Sequence, residues 1–195
     1  MKRRTFDGVV TLVGVGLSIF LFIAAGLLNW GYGFANNTVK DQLVAQKIFF
    51  PPAGSQGLDV KTYPMLQQYG GMQMTTGKQA QMYADYFIAE HLLGVAGGKT
   101  YSEMSTIARA NPTNAALQGQ VATLFKGETL RSILLTAYAF WQLGQIARIG
   151  AGVALVGGLL LLLLSVLGWT HLRRTPHEAT IGNVILPRTL QRAGS

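Results

Sequence analysis

The groups with which this chain could do chemistry are few: three histidines, seven serines, eight acidic residues and no cysteine. The lack of cysteine removes a disulfide framework, a thiolate nucleophile and any Cys-based metal site. His91 lies between two long apolar runs, whereas His171 and His177 follow the second. A His/His/carboxylate set for non-haem iron therefore cannot be gathered on one side of a membrane. Asp85, Glu90 and His91 are close in sequence. On a helix, however, Asp85 and His91 diverge by about 240°, which reads as a solvated face. No serine stands in Gly-x-Ser-x-Gly. Gly98-Lys99-Thr100 imitates the end of a phosphate loop, but Gly94 is one position too near for that motif. Thr100 and Glu103 have the spacing of a helix capping box, not of an acid/base pair. The expectation is a non-enzymatic protein with no catalytic, cofactor-binding or metal-binding residues and no cofactor.

The elements that would carry any site are set by hydropathy. Ile149 to Thr170 contains no charge over 22 residues, and His171-Leu-Arg173-Arg174 follows it. About 20 apolar residues suffice to cross a bilayer, and in hydrocarbon only a helix pairs all its own backbone groups. Gly8 to Trp30 is a second uncharged run, preceded by Lys2, Arg3 and Arg4 and followed by Trp30 and Tyr32 at an interfacial position. A cleaved signal peptide is the competing reading, with Gly33-Phe34-Ala35 as a weak cleavage site. The run is long for a signal core, and a retained helix is expected.

The net charge of +8 does not point to nucleic acid. Lys2, Arg3, Arg4, Arg173, Arg174, Arg188 and Arg192 flank the two runs instead of lining one face of a soluble domain. Basic residues gather on the cytoplasmic side of membrane proteins. The expected topology is a multi-pass plasma (inner) membrane protein, N-in and C-in, with residues 32–145 outside. The expected division is a cytoplasmic head over 1–7, transmembrane helices over 8–31 and 146–171, a helical extracytoplasmic domain over 32–145, and a basic cytoplasmic tail over 172–195. The fold class is all-α.

Within the outer segment, apolar spacing predicts helices over 34–50, ending at Pro51-Pro52, and over 78–95, ending in Gly94, Gly97 and Gly98. The stretch 53–77 is rich in glycine and reads as loop with a short helical turn at 63–69. A helix over 101–110 follows the capping box, and another is expected over 113–126. Gly127 is read as a brief break. Beyond it, residues 128–174 contain no proline and no turn cluster, so one helix should run from the outer domain into the membrane. The methionines Met65, Met72, Met74 and Met82, with Tyr63, Tyr69, Tyr83 and Tyr86, form a soft aromatic group. It reads as domain core before it reads as a lipid or quinone groove.

Two features suggest contacts. Arg148 stands at the expected outer edge of the second span, where it could meet a lipid phosphate or an acidic partner, or simply snorkel to the interface. Gly150, Ala154 and Gly158 form a small-residue stripe, and Gly14 and Ser18 form a shorter one in the first span. Such stripes let helix backbones approach, either between the two helices or between subunits.

The stretches Gln46–Pro52, Tyr83–His91, Gly97–Glu103 and Leu117–Arg131 resemble a group of actinobacterial two-span membrane proteins of unestablished function. Some of that group carry a label resembling the small subunit of an aromatic-ring-opening dioxygenase. The iron ligands for such chemistry cannot be assembled here, so the resemblance implies the two-span architecture and no transferable activity. The expected partners are the lipid bilayer and a membrane-protein partner or a second copy. The expected role is an accessory or scaffold subunit of the cell envelope, with a sensor input module and a dioxygenase-like enzyme as alternatives.

Overall fold

The computed structural model describes residues 3–174, all helical apart from loops and one isolated antiparallel bridge between Phe49 and Gln73. Lys2 and the tail from Thr175, with His177, Glu178, Arg188 and Arg192, lie outside the described residues. Helix α1 spans Arg3–Ala45. Short 3-10 turns cover Gln56–Leu58 and Pro64–Tyr69. Helix α2 (Gly77–Met82) passes into a π-helical turn, Tyr83–Ile88, and then into α3 (Ala89–Ala96). Helix α4 is Tyr101–Ala110 and α5 is Ala115–Arg174, 60 residues long. Both α1 and α5 are long and apolar enough to cross a membrane.

The chain divides into two compact units. Unit 1 contains residues up to Leu28 and from Ile149 onward, and unit 2 is Asn29–Arg148. The boundaries fall near the ends of the charge-free runs. Two sequence expectations are corrected here. The first run and the helix expected over 34–50 are one helix, because Gly31 and Gly33 keep negative φ and nothing else between Trp30 and Phe34 interrupts the hydrogen-bond ladder. That helix ends at Ala45, before the prolines, where Lys47 turns the chain with φ 53°. Phe50 N–H then donates to Met72 O and Met74 N–H to Ile48 O, so residues 48–50 pair with 72–74 instead of extending the helix.

The second correction is at Gly127, which does not interrupt α5. A Cβ there would collide with Leu92, a residue only 5% exposed. Glycine serves at this position as a notch for a neighbouring helix. Helix α5 begins thirteen residues earlier than the expected start at Glu128, after Asn114, whose Oδ1 accepts from Leu117 N–H at 3.1 Å.

Unit 2 packs around Phe50, Leu58, Leu66, Met74, Leu124 and Leu134, each nearly or fully buried. Each such side chain contributes about 1.5–3 kcal/mol on leaving water. Phe50 stacks on Tyr69 at 5.3 Å and meets the edge of Tyr83 at 5.1 Å, and Phe87 lies 4.6 Å from Tyr83. The methionine–tyrosine group splits: Met74 and Met82 join the core, while Met65, Met72 and Tyr86 are exposed. Burial pushes the Tyr83 hydroxyl above its ordinary pKa. Gln67 ties together several turns of the 53–77 loop. Gln67 Nε2 donates to Leu58 O and Tyr63 O at 3.0 Å and Leu58 is fully buried, while Gln67 Oε1 accepts from Gly54 N–H.

Candidate functional site

In unit 1 the two apolar helices meet along small residues. Ser18, fully buried, donates its hydroxyl to Gly158 O at 2.9 Å. Gly14 faces the Ser165 hydroxyl, Gly168 faces Thr11, and a Cβ on Gly158 would meet the Phe22 ring at 3.0 Å. On α5 the inward positions are Ala151, Ala154, Gly158, Leu161, Ser165 and Gly168, with alternating spacings of three and four. On α1 they are Thr11, Gly14, Ser18, Leu21 and Ala25, with the same alternation. That is the seven-residue repeat of paired helices, built from small side chains that bring backbones close. Ala154, Gly158, Gly14 and Ser18 therefore lie on the seam. Gly150 lies at its flank, partly exposed and beside Leu28, because a four-residue stripe drifts off a 3.5-residue repeat. Sequence reasoning missed Thr11, Ala151, Ser165 and Gly168. Their signal is residue size alone, since nearly every position in these runs is apolar.

Arg148 belongs to unit 2. Its guanidinium carbon sits 5.4 Å from the centre of the Tyr32 ring, and the side chain is exposed. A cation over an aromatic face at such a site is worth about 0.5–1 kcal/mol. The ring holds one guanidinium face, and the N–H donors make no hydrogen bond among the described residues. Trp30 and Phe34 stack 5.8 Å apart nearby on α1. In unit 1, Arg173 sits over Trp169 in the same way, 5.2 Å from the ring centre.

Three of the grooves of unit 2 are lined in part or whole by α5. One, of about 370 Å³, runs between residues 34–46, the end of α1 and the turn after it, and the 132–140 stretch of α5. A second, of about 540 Å³, flanks the same stretch of α5 on its other side, with Glu128 and Arg131 at one end. A third, of about 330 Å³, lies over Gly127 and Leu92, with His91 and Lys126 in its lining.

Asp85 does not pair with His91. It lies 3.4 Å from Arg131, which also approaches Glu128 at 3.6 Å and donates Nε–H to Ala84 O at 3.2 Å. Ala84 O is the carbonyl that the π-helical turn pairs with Ala89 N–H, five residues on. Arg131 thereby ties the π turn to α5. Thr100 and Glu103 form the capping box of α4, and both Thr100 groups hold the Glu103 carboxyl below its ordinary pKa: the backbone N–H most, then the hydroxyl. No group of three or more His, Asp or Glu side chains among the described residues could hold a metal ion.

Fold and site together define an all-helical chain with a tightly seamed pair of apolar helices and a separately packed helical unit. The chain matches no protein-family profile, no curated protein and no solved structure.

Proposed function

We propose that this chain is a two-span membrane protein, N-in and C-in, whose outer unit is an accessory or scaffold surface for a partner or lipid and performs no reaction of its own. The observation that carries the reading is the inverted character of unit 1. Its large apolar side chains point outward, with Leu12 73% and Phe20 65% exposed, while its buried positions are small and include Ser18 and Ser165. A helix from a water-soluble core buries its large apolar face instead. Hydrocarbon inverts that rule, because lipid solvates leucine and helix contact is left to small and hydrogen-bonding residues. The basic residues beyond both runs favour the N-in, C-in orientation. Arg148, fixed against Tyr32 with its donors open, suits a lipid headgroup phosphate at the outer interface.

The natural chain contains no cysteine, so a single cysteine at Lys99 gives a clean topology reporter. A membrane-impermeant maleimide is expected to label it on intact cells, and alkaline carbonate is expected to leave the protein in the membrane pellet. Labelling only after lysis, or release by carbonate, overturns the reading. Mass spectrometry of the gently solubilised protein then identifies what the outer unit holds.

A further inference from the structure

We infer that the groove over Gly127 is a binding site for a small monocarboxylate with an apolar body. All of its residues belong to unit 2, so the site needs no bilayer. The groove has two walls. Tyr83, Phe87 and His91, at intervals of four on the π-helical turn and α3, form one. Thr123, Lys126 and Leu130 on α5 form the other. Leu92 holds the walls together by packing on Gly127, where no Cβ fits. A site braced in this way exists before a ligand arrives. Its volume of about 330 Å³ suits a small molecule, at the low end of the usual range for ligand sites.

The apolar part of the lining comes from an irregular helix. Ile88 and Leu92 are buried, and the Tyr83 and Phe87 rings lie 4.6 Å apart. These side chains supply a surface on which an apolar body can leave water. Tyr83, Phe87 and Ile88 all belong to the π-helical turn, which Arg131 fastens through Ala84 O. Turns of this kind are rare inside α-helices and frequent at functional sites.

The polar part of the lining selects the charge of the head group. His91 and Lys126 stand on different walls, and neither makes a hydrogen bond or ion pair among the described residues. The Tyr83 hydroxyl has no hydrogen-bond partner among them either, and burial alone raises its pKa. No acidic side chain lines the groove. Asp85 and Glu128 on neighbouring turns are taken by Arg131, and Glu90 lies outside the lining. An ammonium, an imidazole and a phenol thus share one groove with no acceptor of their own, and a carboxylate completes them by charge-assisted hydrogen bonds. The apolar wall distinguishes such a ligand from a fully hydrated inorganic anion.

The test is a fluorine NMR titration of the full-length chain in detergent micelles at pH 7, with para-fluorophenylacetate as the probe and empty micelles as the blank. Saturable line broadening with a Kd of about 1 mM is expected for a fragment of this size. The neutral isostere para-fluorophenylacetamide is expected to bind about fivefold more weakly or worse. Lys126→Gln, at an exposed position, should weaken the acid by about threefold or more and leave the amide unchanged. Lys40→Gln, on α1 and outside the groove, should change neither. Thr123→Trp, which fills the groove from α5, should abolish both. Equal binding of acid and amide, equal effects of the two lysine variants, undiminished binding in Thr123→Trp, or no saturation by about 10 mM overturns the site.

Discussion

Gly77→Ala sets two glycine effects against each other. Gly77 opens α2 directly after the Thr76 cap, and a Cβ on it would land against Trp141 Cβ and Cγ and within 3.2 Å of Ala137 O. Trp141 Cβ is fixed to the backbone of α5, so it cannot swing aside as a side-chain tip can. Forcing one carbon into a packed site of this kind costs about 1–3 kcal/mol. Alanine's better helix propensity offsets under about 1 kcal/mol of that. The expected net loss is about 1–2 kcal/mol. For unit 2, 120 residues from Asn29 to Arg148, that lowers Tm by roughly 4–8 °C. Gly94→Ala is the matched control. Gly94 sits inside α3 with nothing within 4 Å of an added Cβ. There only propensity acts, and about 0.5–1 kcal/mol of stabilisation should raise Tm by roughly 2–4 °C. Thermal unfolding of the full chain in detergent, followed by tryptophan fluorescence, reads both. If Gly77→Ala equals or exceeds wild type, or if the two variants shift in the same direction, Trp141 does not pack on Gly77 and the argument fails.

Three further perturbations test other parts of the structure. Gly158→Ile drives a branched side chain into Phe22 and Leu21 and should lower Tm by the equivalent of about 1–3 kcal/mol, whereas Ser18→Ala should cost only about 0.6 kcal/mol. Equal effects from the two would refute close packing at the seam. Arg131→Met removes the donor to Ala84 O and the pairings with Asp85 and Glu128. Because the arginine is about one-third exposed, the loss should be about 1 kcal/mol, measured by the same unfolding assay. Glu103 has its carboxyl pKa lowered in the folded state from 4.5, so its contribution is fully present above pH 4.5 and is lost as pH falls through the folded value. Glu103→Gln keeps a capping group that does not titrate in this range. The Tm advantage of wild type over that variant should therefore shrink as pH falls below 4.5, and a constant difference would rule out the capping carboxylate.

Local signals in the sequence were sufficient where a single physical rule acts within one turn or one run. The capping box at Thr100 and Glu103 placed α4 at its observed bounds, and the glycine-rich stretch from Ala53 to Gly77 was legible as a loop with a turn near Tyr69. The two apolar runs marked the two helices long enough to span a membrane, because hydropathy sums along the chain without reference to its neighbours. The role of a glycine depends instead on what stands opposite it. Gly127 looked like a break, yet it is the notch for Leu92, a residue 35 positions away. Gly31 and Gly33 remain helical because nothing demands otherwise, which merged two expected helices into α1. The seam in unit 1 was half visible as Gly14, Ser18, Ala154 and Gly158. Its true period emerged only when a second helix showed which small residues it touches. The groove between residues 34–46 and the 132–140 stretch of α5 belongs wholly to tertiary structure, since its two walls come from segments far apart in the chain. Composition along one chain determines which segments leave water and where they cap, while the spacing between two chain segments decides which of their surfaces remain open.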